Sequence, residues 1–407
     1  MPPSPERPVR LDSLTGLRWW AAFGVFTHHM TNLAPLPVRG LLAYSNYGVM
    51  FFFVLSGFVL TWSASAKITA PTFWWRRFAR IYPAHFVALL LAIPIFYSFT
   101  PDPAQTWVKP VEVGILLLSV FLLQGWSRDP VILFSGNPAA WTLTREAFFY
   151  ALHPAINRVV RLLSLPKTLV AVLAIVGAAF AYRDATVLLP ETFTVALPLP
   201  VLRLNEFVLG MCAAHALRLG WRPRISPVLV YAVGAAFLAW LVLSPRLVPG
   251  GPVGSAIRAS TNEWMIILCL LLIVAVAARD LSGGRSLLRS RTLVKLGEWS
   301  YAFYLVHATV IYAVLALLGG RPPSWSNLLW YAALLGVSIP VAAALHYGVE
   351  KPMERKLRAG WDRRRARRDS VAALSSARDG STVLGTSDSG APGASRPDAN
   401  TSDSPRT

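Results

Sequence analysis

The sequence predicts an all-α fold: a polytopic integral membrane helix bundle of about ten transmembrane helices, followed by a disordered C-terminal tail. Three observations carry that prediction. Of 407 residues, 54% are hydrophobic and only 14% are charged, against about a quarter charged in an ordinary soluble protein. The apolar residues gather into eleven runs of roughly membrane length. Basic clusters separate many of those runs, which is how a multi-spanning protein distributes its charge. The formal charge is +19, and 33 of the 39 basic residues are Arg. Nucleic-acid binding would be the reflex reading, but the placement of the charges decides against it. Cys212 and Cys269 both lie inside apolar runs, so no disulfide framework is expected.

The runs cover residues 14–34, 45–64, 81–100, 111–126, 141–157, 168–183, 200–217, 226–245, 262–279, 298–319 and 327–348. A crossing helix needs ~20 mostly apolar residues because the hydrocarbon core is ~30 Å thick; runs 111–126 and 141–157 are short. The first run holds Arg18, His28 and His29 and lacks a small-residue cleavage site after it, so it reads as a helix and not as a cleavable signal peptide. Basic residues cluster at Arg7 and Arg10, at Lys67 to Arg80, at Arg158 to Lys167, at Arg218 to Arg224, at Arg279 to Lys295 and at Arg355 to Arg368. If every cluster is cytoplasmic, both termini lie inside and the number of crossings is even. Eleven is then one too many. Between Arg80 and Arg158 three runs must give two crossings, so one of 81–100, 111–126 and 141–157 is re-entrant or interfacial.

After Gly360 the composition changes to Ser, Asp, Gly, Ala and Pro, with little to bury, which predicts disorder over 369–407. The expected organisation is a cytoplasmic N-terminal segment 1–10, a membrane-embedded domain 11–355, and a basic, then disordered, cytoplasmic tail 356–407. The Arg-rich run 363–368 reads most simply as a topology anchor facing anionic lipid.

Ionisable side chains at membrane depth are costly and call for an explanation. Arg18 and His29 are eleven residues apart; eleven steps of 100° return to within about 20°, with a rise of ~16 Å. They share one helix face, Arg18 near the cytoplasmic entrance and His29 deep in the bilayer. On spacing alone two readings stand: a snorkelling Arg and a His packed between helices, or a phosphate-binding fork and an imidazole that takes a proton from a hydroxyl. Arg77 and Arg80, one turn apart, suit a polyphosphate at the membrane surface, although positive-inside topology also explains them. Glu146, inside the aromatic stretch Trp141 to Tyr150, either orients a catalytic imidazole or compensates a buried cation. His307 lies about two turns into the helix after Ser300. Arg203 and Glu206 can pair with each other, and Glu350 with a nearby Arg.

Other chemistries find no support: there is no Walker-type glycine loop, no His/Cys/carboxylate cluster with metal spacing, and no Gly-x-Ser-x-Gly elbow. Ser56-Gly57 reads as a close-packing spot.

In order along the chain come Leu11-Asp12-Ser13-Leu14-Thr15-Gly16-Leu17-Arg18 leading to His29, then Phe51 to Phe58, Arg76-Arg77-Phe78-Ala79-Arg80-Ile81-Tyr82-Pro83, Trp141 to Tyr150, Glu206 to Gly210, Tyr304 to His307, and Glu350-Lys351-Pro352. Over about residues 11–355 this series resembles the membrane-bound acyltransferase-3 family of integral O-acyltransferases. The resemblance implies a bundle of about ten helices that moves an acyl group from a cytoplasmic thioester, usually acyl-CoA, onto a hydroxyl. The acceptors it implies are surface glycans, glycolipids, peptidoglycan or the sugars of antibiotics such as macrolides. The family's Arg-to-His spacing falls on Arg18 and His29 and implies a catalytic His29. The family's usual Glu-Glu-Gln reads Glu146-Ala147-Phe148, so only the first carboxylate carries over. The tail in place of an extracytoplasmic esterase-like domain, and an Arg-heavy, Lys-poor composition, point to a small glycoside, glycolipid or antibiotic acceptor.

The expected mechanism is direct transfer. Arg77, Arg80 and Arg18 hold the CoA phosphates, His29 takes the acceptor proton, and Glu146 or His307 orients the site; a transient acyl-protein is the two-step variant. Acyl-CoA enters as a substrate, and no cofactor or metal is expected. The partners are acyl-CoA, a hydroxyl-bearing glycan or glycosylated small molecule, and membrane lipids, without nucleic acid. The rival expectation is a transporter or flippase using Arg18, His29 and Glu146 as an ion or proton relay; a third is a scaffold with a basic tail.

Overall fold

In hydrocarbon no water can satisfy a backbone N–H or C=O, so long apolar runs close their hydrogen bonds within helices. The computed structural model shows this outcome and describes residues 9–65, 67–189, 191–192, 197–247 and 258–383. Its helices of two turns or more are α1 (Asp12–Leu33), α2 (Gly48–Trp62), α3 (Ala70–Phe96), α4 (Val113–Val120), α5 (Trp141–Val160), α6 (Leu165–Leu188), α7 (Leu204–Arg218), α8 (Pro227–Leu247), α9 (Thr261–Leu281), α10 (Arg291–Leu318), α11 (Leu328–Leu345) and α12 (Lys351–Val383). A π-helical turn, His346–Glu350, joins α11 to α12. The strand pairing among the described residues is one parallel bridge of two residues, Tyr97–Ser98 with Lys109–Pro110.

Among the described residues, six helical stretches are both long and apolar enough to cross a membrane: Arg39–Trp62, Ala70–Phe96, Leu165–Val187, Thr261–Leu281, Arg291–Leu318 and Trp325–Val371. Helix α1 is 22 residues long but carries Arg18, His28, His29 and Asn32, which lower its apolar content. Of the three runs between Arg80 and Arg158, α3 has 27 residues and α5 has 20. Run 111–126 yields only the eight residues of α4, a rise of ~12 Å against a ~30 Å core. It stops where Leu122 takes φ 58°, a left-handed conformation that ends a helix.

Helix α1 lies between two hydrophobic clusters. Trp19, Phe26, Met30 and Leu33 pack with Phe303, Leu305, Tyr331 and Leu334. Leu14, Leu17 and Ala21 pack with Phe51, Val54, Leu209 and Ile273. These sets recur at helical spacing, so α1 is a central helix with two apolar stripes. Its first turn is held by Asp280, whose carboxylate accepts from Ser13 N (2.9 Å) and Ser13 Oγ (2.5 Å).

The basic clusters gather at one end of the bundle. Trp62 Nε1 donates to Val9 O, Arg218 Nη1 to Thr61 O, and Trp75 Nε1 to Leu357 O. Arg10 pairs with Glu298 at 3.1 Å. At the opposite end Arg321 N donates to Leu33 O and Asn327 Nδ2 to Pro35 O.

Residues 1–358 form one unit and residues 359–407 a second. The described part of the second continues α12 to Val383, so residues 369–383, expected to be disordered, are helical. Ala and Arg favour helix, and Arg365 lies 3.9 Å from Asp369 one turn on. Residues 384–407 and 1–8, assigned above to the tail and the N-terminal segment, lie outside the described residues.

Helices α2 and α7 cross backbone to backbone. A Cβ on Gly57 would run into the Phe207 carbonyl, and one on Gly210 into the Val54 carbonyl. Backbone cannot step aside as a side chain can, so we expect Gly57→Leu to cost about 3 kcal/mol in unfolding from detergent micelles. Gly177→Leu, where nothing lies within 4 Å of the added Cβ, is expected to unfold as the parent does.

Candidate active site

Helices α1 and α10 bring two histidines together. His29 Nδ1 lies 2.9 Å from Val25 O and 3.3 Å from His307 Nε2. His307 is fully buried, and its Nδ1 faces only carbonyl oxygens, Tyr304 O at 2.8 Å and Phe303 O at 3.2 Å. A carbonyl cannot donate, so His307 Nδ1 carries the proton and, in the neutral ring, Nε2 is a bare acceptor. His29 Nδ1 therefore faces two acceptors, Val25 O and His307 Nε2, and must carry a proton of its own. Its Nε2 is left with the lone pair. Among the described residues nothing hydrogen-bonds that nitrogen. The neutral pair thus leaves the lone pair on His29 Nε2, its tautomer fixed by three backbone carbonyls.

His29 lines a chamber with His28, Trp141, Arg145, Arg203, Asn262 and Tyr304. A second chamber is lined by Arg18, Ser56, Arg77, Arg80, Glu146, Tyr150 and Tyr301. Val49, Phe53 and Tyr304 line both, so the two are neighbours that share these side chains. Leu60 and Arg77 in turn belong both to the second chamber and to a groove at the basic end. That groove is lined by Arg76, Arg77, Arg158, Arg161 and Arg358, with no carboxylate among its described lining. A row of cavities thus runs from an arginine-rich mouth to the histidine pair.

The arginines in this row differ in what they already hold. Arg80 Nη1 lies 2.7 Å from Glu350 and 3.0 Å from Glu354. The π-turn sets Glu350 against Arg80 while its other oxygen meets His346 Nδ1 at 3.0 Å. Arg80, expected to hold a phosphate, is thus engaged by two carboxylates. Arg18 makes no ion pair or hydrogen bond among the described residues, and Arg77 makes only a ring contact with Phe73 at 5.9 Å. Glu146 does not bond His29: it accepts from Ser56 Oγ at 3.3 Å and from Tyr150 OH at 3.2 Å. Of the two residues expected to orient His29, the structure brings His307 to it. Arg203 pairs with Glu206 at 2.6 Å.

Three groups were not singled out by sequence reasoning. Tyr304 lines both chambers, its hydroxyl 2.9 Å from Ala139 O and 3.0 Å from Thr142 Oγ1. Arg158 and Arg161 read as topology charges yet face the same groove as Arg77. Arg145 stacks on Trp141 at 3.7 Å; the i, i+4 spacing of the two was the available signal.

The acyltransferase domain family model matches residues 11–347. Among curated proteins, the acyltransferase MdmB of Streptomyces mycarofaciens is 37% identical over 383 residues, which cover 87% of this chain and 94% of MdmB. Nodulation protein 10 of Rhizobium leguminosarum bv. viciae is 26% identical over 374 residues, 86% of this chain and 94% of that protein. The O-acetyltransferase OatA of Staphylococcus aureus (strain NCTC 8325 / PS 47) is 24% identical over 335 residues, 75% of this chain but only 51% of OatA. No solved structure matches the chain significantly. A family match across most of the sequence, on a bundle of long apolar helices, makes this protein a member of the acyltransferase-3 family, a multi-pass membrane O-acyltransferase.

Proposed function

We propose that the protein moves an acyl group from acyl-CoA to a hydroxyl of a carbohydrate-containing acceptor: a surface glycan, a glycolipid or the sugar of an antibiotic. The observation that carries this reading is the bare Nε2 of His29, held next to a row of cavities that leads to an arginine-lined mouth. OatA is by its name an O-acetyltransferase, which supports acetyl-CoA as the first donor to try.

In the proposed step His29 Nε2 takes the proton of the acceptor hydroxyl as its oxygen attacks the thioester carbonyl. The tetrahedral intermediate collapses with loss of the C–S bond, and the CoA thiolate recovers the proton from the imidazolium. His307 Nε2 accepts from His29 Nδ1–H throughout and steadies the imidazolium that forms. The mouth arginines and Arg77 bind the CoA phosphates through forked, charge-assisted hydrogen bonds. The second chamber takes the pantetheine, with Arg18 as the last cation before the histidines. Glu146 fixes the Ser56 and Tyr150 hydroxyls along that passage. No cofactor or metal takes part in this scheme.

The same reading orients the protein. The arginine-rich end faces the cytoplasm by the positive-inside rule, which places both termini there. Counting α1, α2, α3 and α5 to α11 as crossings gives the ten that parity requires, with α4 excluded.

Three outcomes are expected of purified protein in nanodiscs, with thiol release from acetyl-CoA followed across hydroxyl acceptors. His29→Ala should lower acceptor-dependent release by about a thousandfold while CoA still binds; release at the parent rate would overturn the proposed chemistry. Arg18→Gln and Arg77→Gln should each raise the KM for acetyl-CoA by about tenfold or more, whereas Arg80→Gln should chiefly lower the unfolding temperature, since it strands Glu350. His307→Leu should lower kcat by about ten- to a hundredfold with the KM for acetyl-CoA unchanged, because His29 Nδ1–H then keeps only its carbonyl partner.

A further inference from the structure

The chamber beside His29 contains two buried guanidinium groups with opposite circumstances. Arg203 is paired with Glu206. Arg145, only 3% exposed, has no ion pair, and its Nε and Nη1 have no hydrogen-bond partner. Its contact is the face of Trp141 at 3.7 Å, which fixes the plane of the fork without satisfying a single N–H. A buried donor without an acceptor is destabilising, and a charged one more so. Two neighbouring N–H groups in one plane, left open beside a candidate base, match the geometry of a ligand with adjacent oxygen atoms.

The cavities say which ligand. Arg145 lines the His29 chamber and not the chamber of Arg18 and Arg77, so it stands on the far side of Tyr304 from the groove that suits the donor phosphates. The same chamber offers the side chains of Asn262, Asn46 and His28, neutral polar groups of the kind that recognise hydroxyls. Resting on the acyl-transfer reading above, we infer that Arg145 is an acceptor-specificity residue. Its open N–H groups bind the oxygens next to the hydroxyl that is acylated, and so select a polyoxygenated, carbohydrate-class acceptor over a simple alcohol. Trp141 holds the fork in that plane, and Arg203, neutralised by Glu206, does not compete for the ligand.

The experiment compares hexyl glycosides of common hexoses and 6-deoxyhexoses with 1-hexanol, using acetyl-CoA and full-length protein in nanodiscs. Hexanol presents a hydroxyl without neighbouring oxygens. The parent protein should prefer the best glycoside by roughly a hundredfold in kcat/KM. Arg145→Gln should remove most of that preference by raising the glycoside KM about tenfold or more, with the KM for acetyl-CoA and the turnover of hexanol within about twofold. Arg145→Lys, which keeps the charge but not the fork, should recover only part of the loss. Should Arg145→Gln not fold, Asn262→Leu is expected to raise the glycoside KM in the same selective way. An Arg145→Gln protein that loses rate equally on glycosides and hexanol, at unchanged KM, would overturn the assignment and leave acyl transfer standing. A folded parent protein that acylates neither glycosides nor hexanol would remove the acyl-transfer reading, and this inference with it.

Discussion

The contact between α1 and α10 is the constraint from which the site follows. Gly297 has no room for a Cβ because the Thr15 carbonyl occupies that space. The two backbones therefore touch near the basic end, and three turns further along they still lie close enough for His29 and His307 to meet. At that point the chemistry is set by carbonyls alone. Tyr304 O and Phe303 O decide the tautomer of His307, His307 decides with Val25 O the tautomer of His29, and the lone pair ends on His29 Nε2, which nothing among the described residues engages. No carboxylate bonds either ring among the described residues, and Glu146 accepts instead from the Ser56 and Tyr150 hydroxyls.

Charge is partitioned along the same axis. The mouth is lined by arginines, whereas the chamber of His29 holds two, Arg203 paired with Glu206 and Arg145 without an ion pair. A guanidinium taken out of water stabilises an anion far more than one at the surface does, so Arg18 and Arg77 are well placed for a phosphate-bearing donor that also carries an apolar arm. Arg80 sits among them but is bound to Glu350 and Glu354. Its carboxylate partners come from the turn that links α11 to α12 (Glu350) and from the first turn of α12 (Glu354), so this arginine fastens the last helices onto α3. One sequence motif thus supplies, within a single turn, a cation paired with two carboxylates and a cation, Arg77, that touches only the Phe73 ring among the described residues.

Much of this was legible in the sequence. Apolar runs located most helices within a few residues, because the backbone in lipid has no alternative to helix; α3 and α10 begin 11 and 7 residues before their runs, in polar, Arg-containing turns. The even-crossing rule expected one superfluous run among three, and α4, with eight residues, is the shortest of the helices those runs form. The Arg18–His29 face was visible because helical phase is arithmetic. Pairings across the bundle were not visible: nothing in the neighbourhood of residue 307 says that it will face residue 29, and nothing near Arg80 says that Glu350 will reach it through a π-turn. Those contacts depend on which helices cross and where, and single glycines such as Gly57, Gly210 and Gly297 set them. The run after Gly360 failed for a different reason. A composition with little to bury was read as disorder, yet its Ala and Arg residues favour a helix that needs no core as far as Val383.

Arg145 shows most clearly how a buried side chain can report an absent partner. Stacking on Trp141 is worth about 2 kcal/mol at best. Leaving two N–H groups of a cation buried without acceptors costs at least as much, at about 1–3 kcal/mol for each group and more where charge is involved. Packing alone therefore does not offset the burial of this group in the empty protein. The same chamber shows that the fold can neutralise a guanidinium when required, since Arg203 has Glu206 at 2.6 Å. A more deeply buried neighbour of the same type, without such a partner, marks a place where the missing acceptors arrive with a ligand. That ligand then gains from the burial that the free protein bears, and the gain is largest for the molecule whose oxygens are spaced to meet the fork.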